Sequence, residues 1–320
     1  MGLWQVNADT LAAGRFVVSP LAEATAALMA LHKGEAYHPG ERAWLDAHRP
    51  AYRQRLADDP VTDLLVGAAL GPTWIADYLT PTPAGEAAWG EELERVRRTP
   101  PSVARADLET ALGGPLPRAL DRRDLPQRTA ELLAWVWTHT VQPDWERRRR
   151  IMEADVVART GQLGQGGWAA ALDGLRPGMR WLGESRLQIN VYDNPPREVS
   201  GAQLMFVPVT HHQGWVSWDA PHRYAVVYPC EGALAEADKA AAPEALGALL
   251  GPARAVVLTL LDAPKSTTQL VALTGQGLGS VGRHLKVLLD AGLAGRRRSG
   301  RSVLYFRTAV GEVLVKANSA

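Results

Sequence analysis

The chain has 320 residues, 46% of them hydrophobic, which is long enough for two domains and apolar enough for more than one core. A single cysteine, Cys230, excludes an internal disulfide and a thiolate-rich zinc site, and no stretch approaches the roughly 18 continuous apolar residues of a membrane-spanning helix. The formal net charge of +1 conceals an asymmetry: from Pro243 onward ten Lys and Arg face four acids, a surplus of +6, and everything before carries −5.

Taken in order, residues 15–18 read as a short strand. Ser19 is then placed to cap, and Pro20 to begin, a helix that carries Leu21, Leu28 and Leu31 on one side and stops near Gly34. Residues 42–56 have helical character interrupted at Pro50, and 61–70 form a further buried helix. The stretch 72–83, with Trp74, Ile75, Tyr78 and Leu79, is an apolar connector that ends in Pro81-Thr82-Pro83. Helices recur at 86–98, 102–112 and 126–139, and 144–172 is the longest candidate, with Gly161, Gly164, Gly166 and Gly167 as candidate breaks. Its Arg147 to Arg150 run faces several directions around the axis and reads as a solvated or acid-paired surface.

From Arg180 the period changes. Leu187, Ile189 and Val191 alternate, then 204–209, 215–218 and 224–228 follow between Gly, Pro and Asn signals, which predicts a mainly antiparallel β region. The Ala-rich stretch 232–242 reads as a helical connector. Beyond it come an apolar-periodic helix (Ala255, Val256, Leu258, Leu260, Leu261), a stop at Pro264, and a Ser266 or Thr267 cap. A short helix with Leu270, Val271 and Leu273 follows, then a Gly275-Gln276-Gly277 break and a second helix with Val281, Leu285 and Leu288 that ends at Gly292. Arg296 to Arg301 are expected at the tip of a hairpin, because Val303 to Phe306 lead out again.

Helix, turn, helix and basic hairpin is a winged helix-turn-helix order. The fold class expected is therefore α+β. A mainly helical N-terminal body of residues 1–230 is helical to 175 and β-rich over 180–230; a connector of 231–242 joins it to a winged helix-turn-helix DNA-binding domain of 243–320.

The C-terminal quarter resembles the ArsR family of small-molecule-responsive transcription regulators. The resemblance is carried by Arg283-His284-Leu285-Lys286-Val287-Leu288, Ala291-Gly292-Leu293, the wing Arg297-Arg298-Ser299-Gly300-Arg301, and Leu249-Leu250-Gly251 with Pro252 and Arg254. Arg15-Phe16-Val17-Val18-Ser19-Pro20-Leu21, Asp77-Tyr78-Leu79-Thr80-Pro81-Thr82-Pro83 and Val207-Pro208-Val209 resemble the longer bacterial members that carry an N-terminal domain. What this implies is a one-component, homodimeric, cytoplasmic repressor that binds an inverted-repeat operator. Metal-sensing members carry cysteines where this chain has Lys265-Ser266-Thr267-Thr268, so metal sensing is not carried over, and no cofactor is expected.

The family's recognition helix begins with Ser and Gln side chains, whereas here Gly277, Leu278, Gly279 and Gly282 stand at the matching positions. With Val281, Leu285 and Leu288 turned to the core, Gly279, Gly282, Arg283 and Lys286 fall on the outer face and Ser280 and His284 at its edges. Arg283 is the candidate for a guanine contact, since its planar fork matches that base's major-groove acceptors. Lys286 and the wing residues Arg296, Arg297, Arg298 and Arg301 are candidates for the phosphate backbone or minor groove, and Thr267, Ser280 and His284 are further DNA-binding candidates. The same fold also serves as a protein-interaction or dimerisation module, and a glycine-rich recognition helix favours that alternative.

All eleven Trp lie at or before Trp218, so the body is the aromatic half. Trp135 and His139 share a helical face, and Trp74 and Tyr78 would do so if their segment were helical; both pairs suit core packing or a pocket for an apolar or aromatic effector. His211-His212 cannot both ligate a metal from one regular strand, and no nucleophile elbow is present, so no enzyme is expected.

Overall fold

The computed structural model describes residues 2–37, 39–85, 87–172, 175–192, 194–230, 242–262, 264–299 and 302–318. The protein is α+β and divides into two compact units, one of residues 1–145 and 172–230 and the other of 146–171 and 231–320. Among the described residues no helix is long and apolar enough to cross a membrane.

The first unit begins with β1 (Leu3–Gln5), α1 (Ala8–Ala12) and β2 (Arg15–Phe16), of which β1 and α1 have no strong periodicity in the sequence. It continues through α2 (Pro20–Lys33), α3 (Pro39–Asp58), α4 (Pro60–Ala69), α5 (Trp89–Arg97), α6 (Pro101–Leu112) and α7 (Leu125–Val136). Helix α2 is placed by its own punctuation. Ser19 Oγ accepts from Ala22 N at 3.0 Å and donates to Glu92 Oε1 at 2.8 Å, and Gly34 closes the helix in the left-handed region at φ 70°.

One side of α2, with Leu28 and Leu31, packs among Tyr52, Leu65, Leu108 and Leu133 of the bundle. The other, with Ala22, Ala26 and Met29, packs on Met205, Val207 and Val227 of a sheet. A helix covered on both sides has no polar face, and each buried Leu contributes about 1.5–3 kcal/mol. Glu23, also fully buried in α2, is satisfied by Thr210, whose N–H donates at 2.8 Å and whose hydroxyl donates to the second oxygen.

One sequence expectation is corrected in the helices of this unit. Pro50 does not interrupt its helix, because Trp44 and Leu45 before it and Tyr52 and Leu56 after it are all buried, which outweighs the roughly 3 kcal/mol that an interior proline costs. The stretch 72–83 is not helical through Trp74: a Leu70–Ile75 bridge is followed by a 3₁₀ turn at Asp77–Leu79. Helix α7 passes into a π turn at Trp137–Val141. In α8 (Trp145–Leu172), of which residues 146–171 belong to the second unit, Gly167, one of the four expected breaks, departs from helical geometry at φ 66°.

The β region is mixed, not mainly antiparallel. Strands β3 (Arg180–Gly183), β4 (Arg186–Gln188) and β5 (Arg197–Glu198) form a sheet of order β3-β4-β1-β5, in which β1 and β5 run parallel. Strands β6 (Gln203–Val209), β7 (Trp215–Asp219) and β8 (Arg223–Pro229) form a second sheet of order β2-β6-β8-β7, in which β2, β6 and β8 are mutually parallel and β7 alone is antiparallel. Leu204 to Val209 and Tyr224 to Tyr228 are buried without alternation. Such continuous runs mark strands covered on both faces, which is the usual setting of parallel pairing.

In the second unit, α9 (Glu244–Leu250) and α10 (Pro252–Leu260) precede a short strand β9 (Lys265–Ser266), then α11 (Thr267–Thr274), α12 (Leu278–Asp290), a hairpin of β10 (Ala294–Ser299) and β11 (Ser302–Arg307), and α13 (Ala309–Ala317). The three strands pair antiparallel in the order β10-β11-β9. Leu258 and Leu261, Leu270, and Val281, Leu285 and Leu288 share one core. Gly292, at φ 68°, turns the chain from α12 into the hairpin, and the Thr308 hydroxyl donates to Gly292 O at 2.7 Å while capping α13. The expected connector lies outside the described residues except for Ala242.

Candidate nucleic-acid interface

Helix α12 is amphipathic at a period of 3.6. With Val281, Leu285 and Leu288 buried, Gly279, Gly282, Arg283 and Lys286 are exposed, and Ser280 and His284 are half-buried at the edges. The edge is ordered by short polar contacts: Ser280 Oγ donates to Gln276 Oε1 at 3.0 Å and lies 3.3 Å from His284 Nε2. Burial first, then the charges of Arg254 and Arg283, lower the His284 pKa below its ordinary value, so at neutral pH this ring is an uncharged hydrogen-bonding group.

The helix has Gly277 at its N-cap and therefore no side-chain cap. A Cβ at Gly279 or Gly282 would meet nothing within 4 Å, so neither glycine is required by packing inside the chain. They leave the outer face of the first two turns bare to the backbone. Thr267 opens α11 and is half-buried.

Arg296, Arg297 and Arg298 do not sit at the tip of the hairpin. Arg296, Arg297 and Arg298 lie within β10, opposite Tyr305, Leu304 and Val303, and all three are exposed. Pairing continues to Ser299↔Ser302, which extends the strand past the arginine run. Strand alternation sends Arg296 and Arg298 to one face and Arg297 to the other. Arg301 lies outside the described residues.

The cations of this segment fall into two groups. Lys265 is buried against Asp262 at 3.0 Å, Arg307 and Lys316 reach Glu312 at 3.2 and 3.5 Å, and Arg254 donates to Leu250 O at 3.0 Å. Arg283, Lys286, Arg296, Arg297 and Arg298 have no acidic partner among the described residues and point to solvent. The positive charge left over is thus concentrated on α12 and β10.

The four aromatic candidates of the first unit do not converge. The Tyr78 hydroxyl is buried 2.8 Å from Thr129 Oγ1, inside the helical core. Trp135 stacks on His139 at 4.8 Å between ring centroids, with the Arg55 guanidinium 5.7 Å from the Trp135 ring, at an exposed corner. Trp74 lines a separate cleft with Trp218, 5.5 Å away edge-on. His211 is fully buried between Glu41 and Trp44, and His212 packs on Tyr37. Among the described residues no three His, Cys, Asp or Glu side chains are grouped to hold a metal ion. Comparison with protein-family models, curated proteins and solved structures finds no match to this chain.

Proposed function

We propose that the chain is a DNA-binding transcription regulator of the ArsR-like type, a ligand-responsive repressor without metal sensing that binds an operator as a homodimer. The observation that carries the reading is the partition of charge in residues 243–318. Among the described residues, Asp262 pairs with Lys265 and Glu312 with Arg307 and Lys316, and five exposed cations without an acidic partner remain on one helix and the adjoining strand of a helix–helix–hairpin order. A helix with one exposed basic face, followed by a basic ribbon, suits entry into a major groove with backbone contacts alongside.

Arg283 is the base-reading side chain in this account, and Lys286 and Arg296–Arg298 hold phosphate. The bare glycine face allows the helix backbone to approach closely but offers few hydrogen bonds, so one module reads a half-site and two copies are needed. Val310 and Val313, exposed at 63% and 68% on one side of α13, suit a contact between copies. The role is binding and not catalysis, and the setting is the bacterial cytoplasm. The test is a salt-dependent gel shift with the DNA upstream of the chain's own coding sequence. Retention of a specific complex at moderate salt supports the reading, and binding no better than to random duplex contradicts it.

One observation favours a second reading. Gly279 and Gly282, open and exposed, would equally let a partner helix pack against α12, which makes the segment a protein-interaction or dimerisation module. That reading expects self-association or partner binding with no salt-dependent DNA complex.

A further inference from the structure

The first unit contains a cleft of about 330 Å³ that none of the expected functions uses as it stands. Its size is at the lower end of small-molecule sites. Trp74 and Trp218 meet edge-on at 5.5 Å on its wall, and the Arg197 guanidinium lies 3.9 Å from the centre of the Trp218 ring. Lys33, Arg176 and Arg197 line it against one carboxylate, Asp77. The cleft is therefore aromatic and cationic at once.

Two of its donors are orphaned. Arg176 Nη1 and Trp4 Nε1 are both shut off from solvent without a hydrogen-bond partner, and Arg176 has no ion pair among the described residues. A buried cation without a counter-charge is costly, and a buried N–H without an acceptor costs about 1–3 kcal/mol. Burial lowers the Arg176 pKa to about 10, which still leaves it charged at neutral pH. Asp77 is the one carboxylate of the lining; burial first, and then the neighbouring Asp107, raise its carboxyl to about 6, and the charge of Arg197 opposes that rise. Lys33 Nζ already donates to Gln213 Oε1 at 3.0 Å, so the unmet demand for an acceptor comes from Arg176 and Trp4.

We propose that this cleft binds a small organic acid, with a flat apolar body against Trp74 and Trp218 and a carboxylate taken up by Arg176, with Arg197 as the second cation. The planar guanidinium suits a carboxylate's two oxygens, and the two indoles supply faces and edges for a ring. The inference rests on the cleft alone and stands whether or not the C-terminal segment reads DNA.

Isothermal titration of the full chain with 1-naphthoate, 1-naphthamide and inorganic phosphate tests it. The acid is expected to bind at least about tenfold more tightly than the amide of the same shape, a difference of about 1.4 kcal/mol, and more tightly than phosphate. Arg176→Met should abolish the preference for acid over amide and raise the thermal midpoint of the unliganded protein. Trp218→Ala should weaken acid and amide alike. Equal binding of acid and amide, phosphate binding as tight as naphthoate, or no binding by any of the three overturns the proposal, and the wild-type comparison decides this even if a variant fails to fold.

Discussion

Replacing Glu41 by Gln removes a negative charge from a fully buried junction between α3 and the chain just after β6. Its carboxylate accepts from Tyr37 N at 3.0 Å, from His212 N at 3.3 Å and lies 3.4 Å from His211 Nδ1. Burial by itself pushes this carboxyl up. The hydrogen bonds from His211, Tyr37 and His212, with the histidine's charge, more than offset that and hold it at about 2, against an ordinary 4.5.

That difference is worth about 3 kcal/mol at neutral pH, a large fraction of a domain's stability. The folded value lies below the unfolded one, so the contribution is fully present above pH 4.5 and is lost as the pH falls toward 2; by pH 3 about 1 kcal/mol remains. Urea unfolding followed by circular dichroism measures it. Glu41→Gln is expected to lose most of this stability at pH 7 and much less at pH 3. A deficit of the same size at both pH values, or none at pH 7, refutes the electrostatic reasoning.

In DNA binding, Arg283→Ala is expected to relax the preference for specific over random duplex by about 1–3 kcal/mol, whereas Arg298→Ala weakens both and lowers the salt slope by about 0.9, both read by fluorescence anisotropy. Equal losses on the two duplexes for both variants contradict that division. Gly282→Ala, where a Cβ meets nothing, should stabilise α12 by about 0.5–1 kcal/mol in a thermal melt and still lower DNA affinity, because the helix backbone can no longer approach as closely; unchanged affinity goes against a groove contact there. Tyr78→Phe, which removes a buried 2.8 Å hydrogen bond to Thr129, should lower the unfolding free energy measured in urea by about 1 kcal/mol with no change in response to naphthoate.

The parts of this fold that are legible in the sequence are those specified by neighbours along the chain. Ser19, Pro20 and Gly34 bound α2 as read, and the spacing of Val281, Leu285 and Leu288 places Arg283 and Lys286 outward. What was misread depends on contacts at long range. Pro50 argues locally for a break, but tertiary burial on both sides decides otherwise. The unbroken apolar runs of β6 and β8 held the sign of parallel pairing, and short strands bounded by turn residues obscured it. The cleft was invisible because Trp4, Lys33, Trp74, Arg176, Arg197 and Trp218 come from segments nearly the whole length of the first unit apart. The Trp segregation pointed to the half of the chain that holds this cleft, and of the four aromatic candidates Trp74 alone lines it. Nothing local marks Arg176 as a buried, unpaired cation.

The central claim is that four outward cations on α12 and β10, Lys286 and Arg296 to Arg298, meet a phosphate backbone while Arg283 reads a base. A salt titration of affinity for the chain's own upstream DNA, alongside a random duplex of equal length, tests it most directly. If those four make phosphate contacts, the logarithm of affinity should fall with the logarithm of salt at a slope of about −3.6 per protomer, with the upstream duplex favoured throughout. A slope near zero, or the same affinity for both duplexes at every salt concentration, would contradict it.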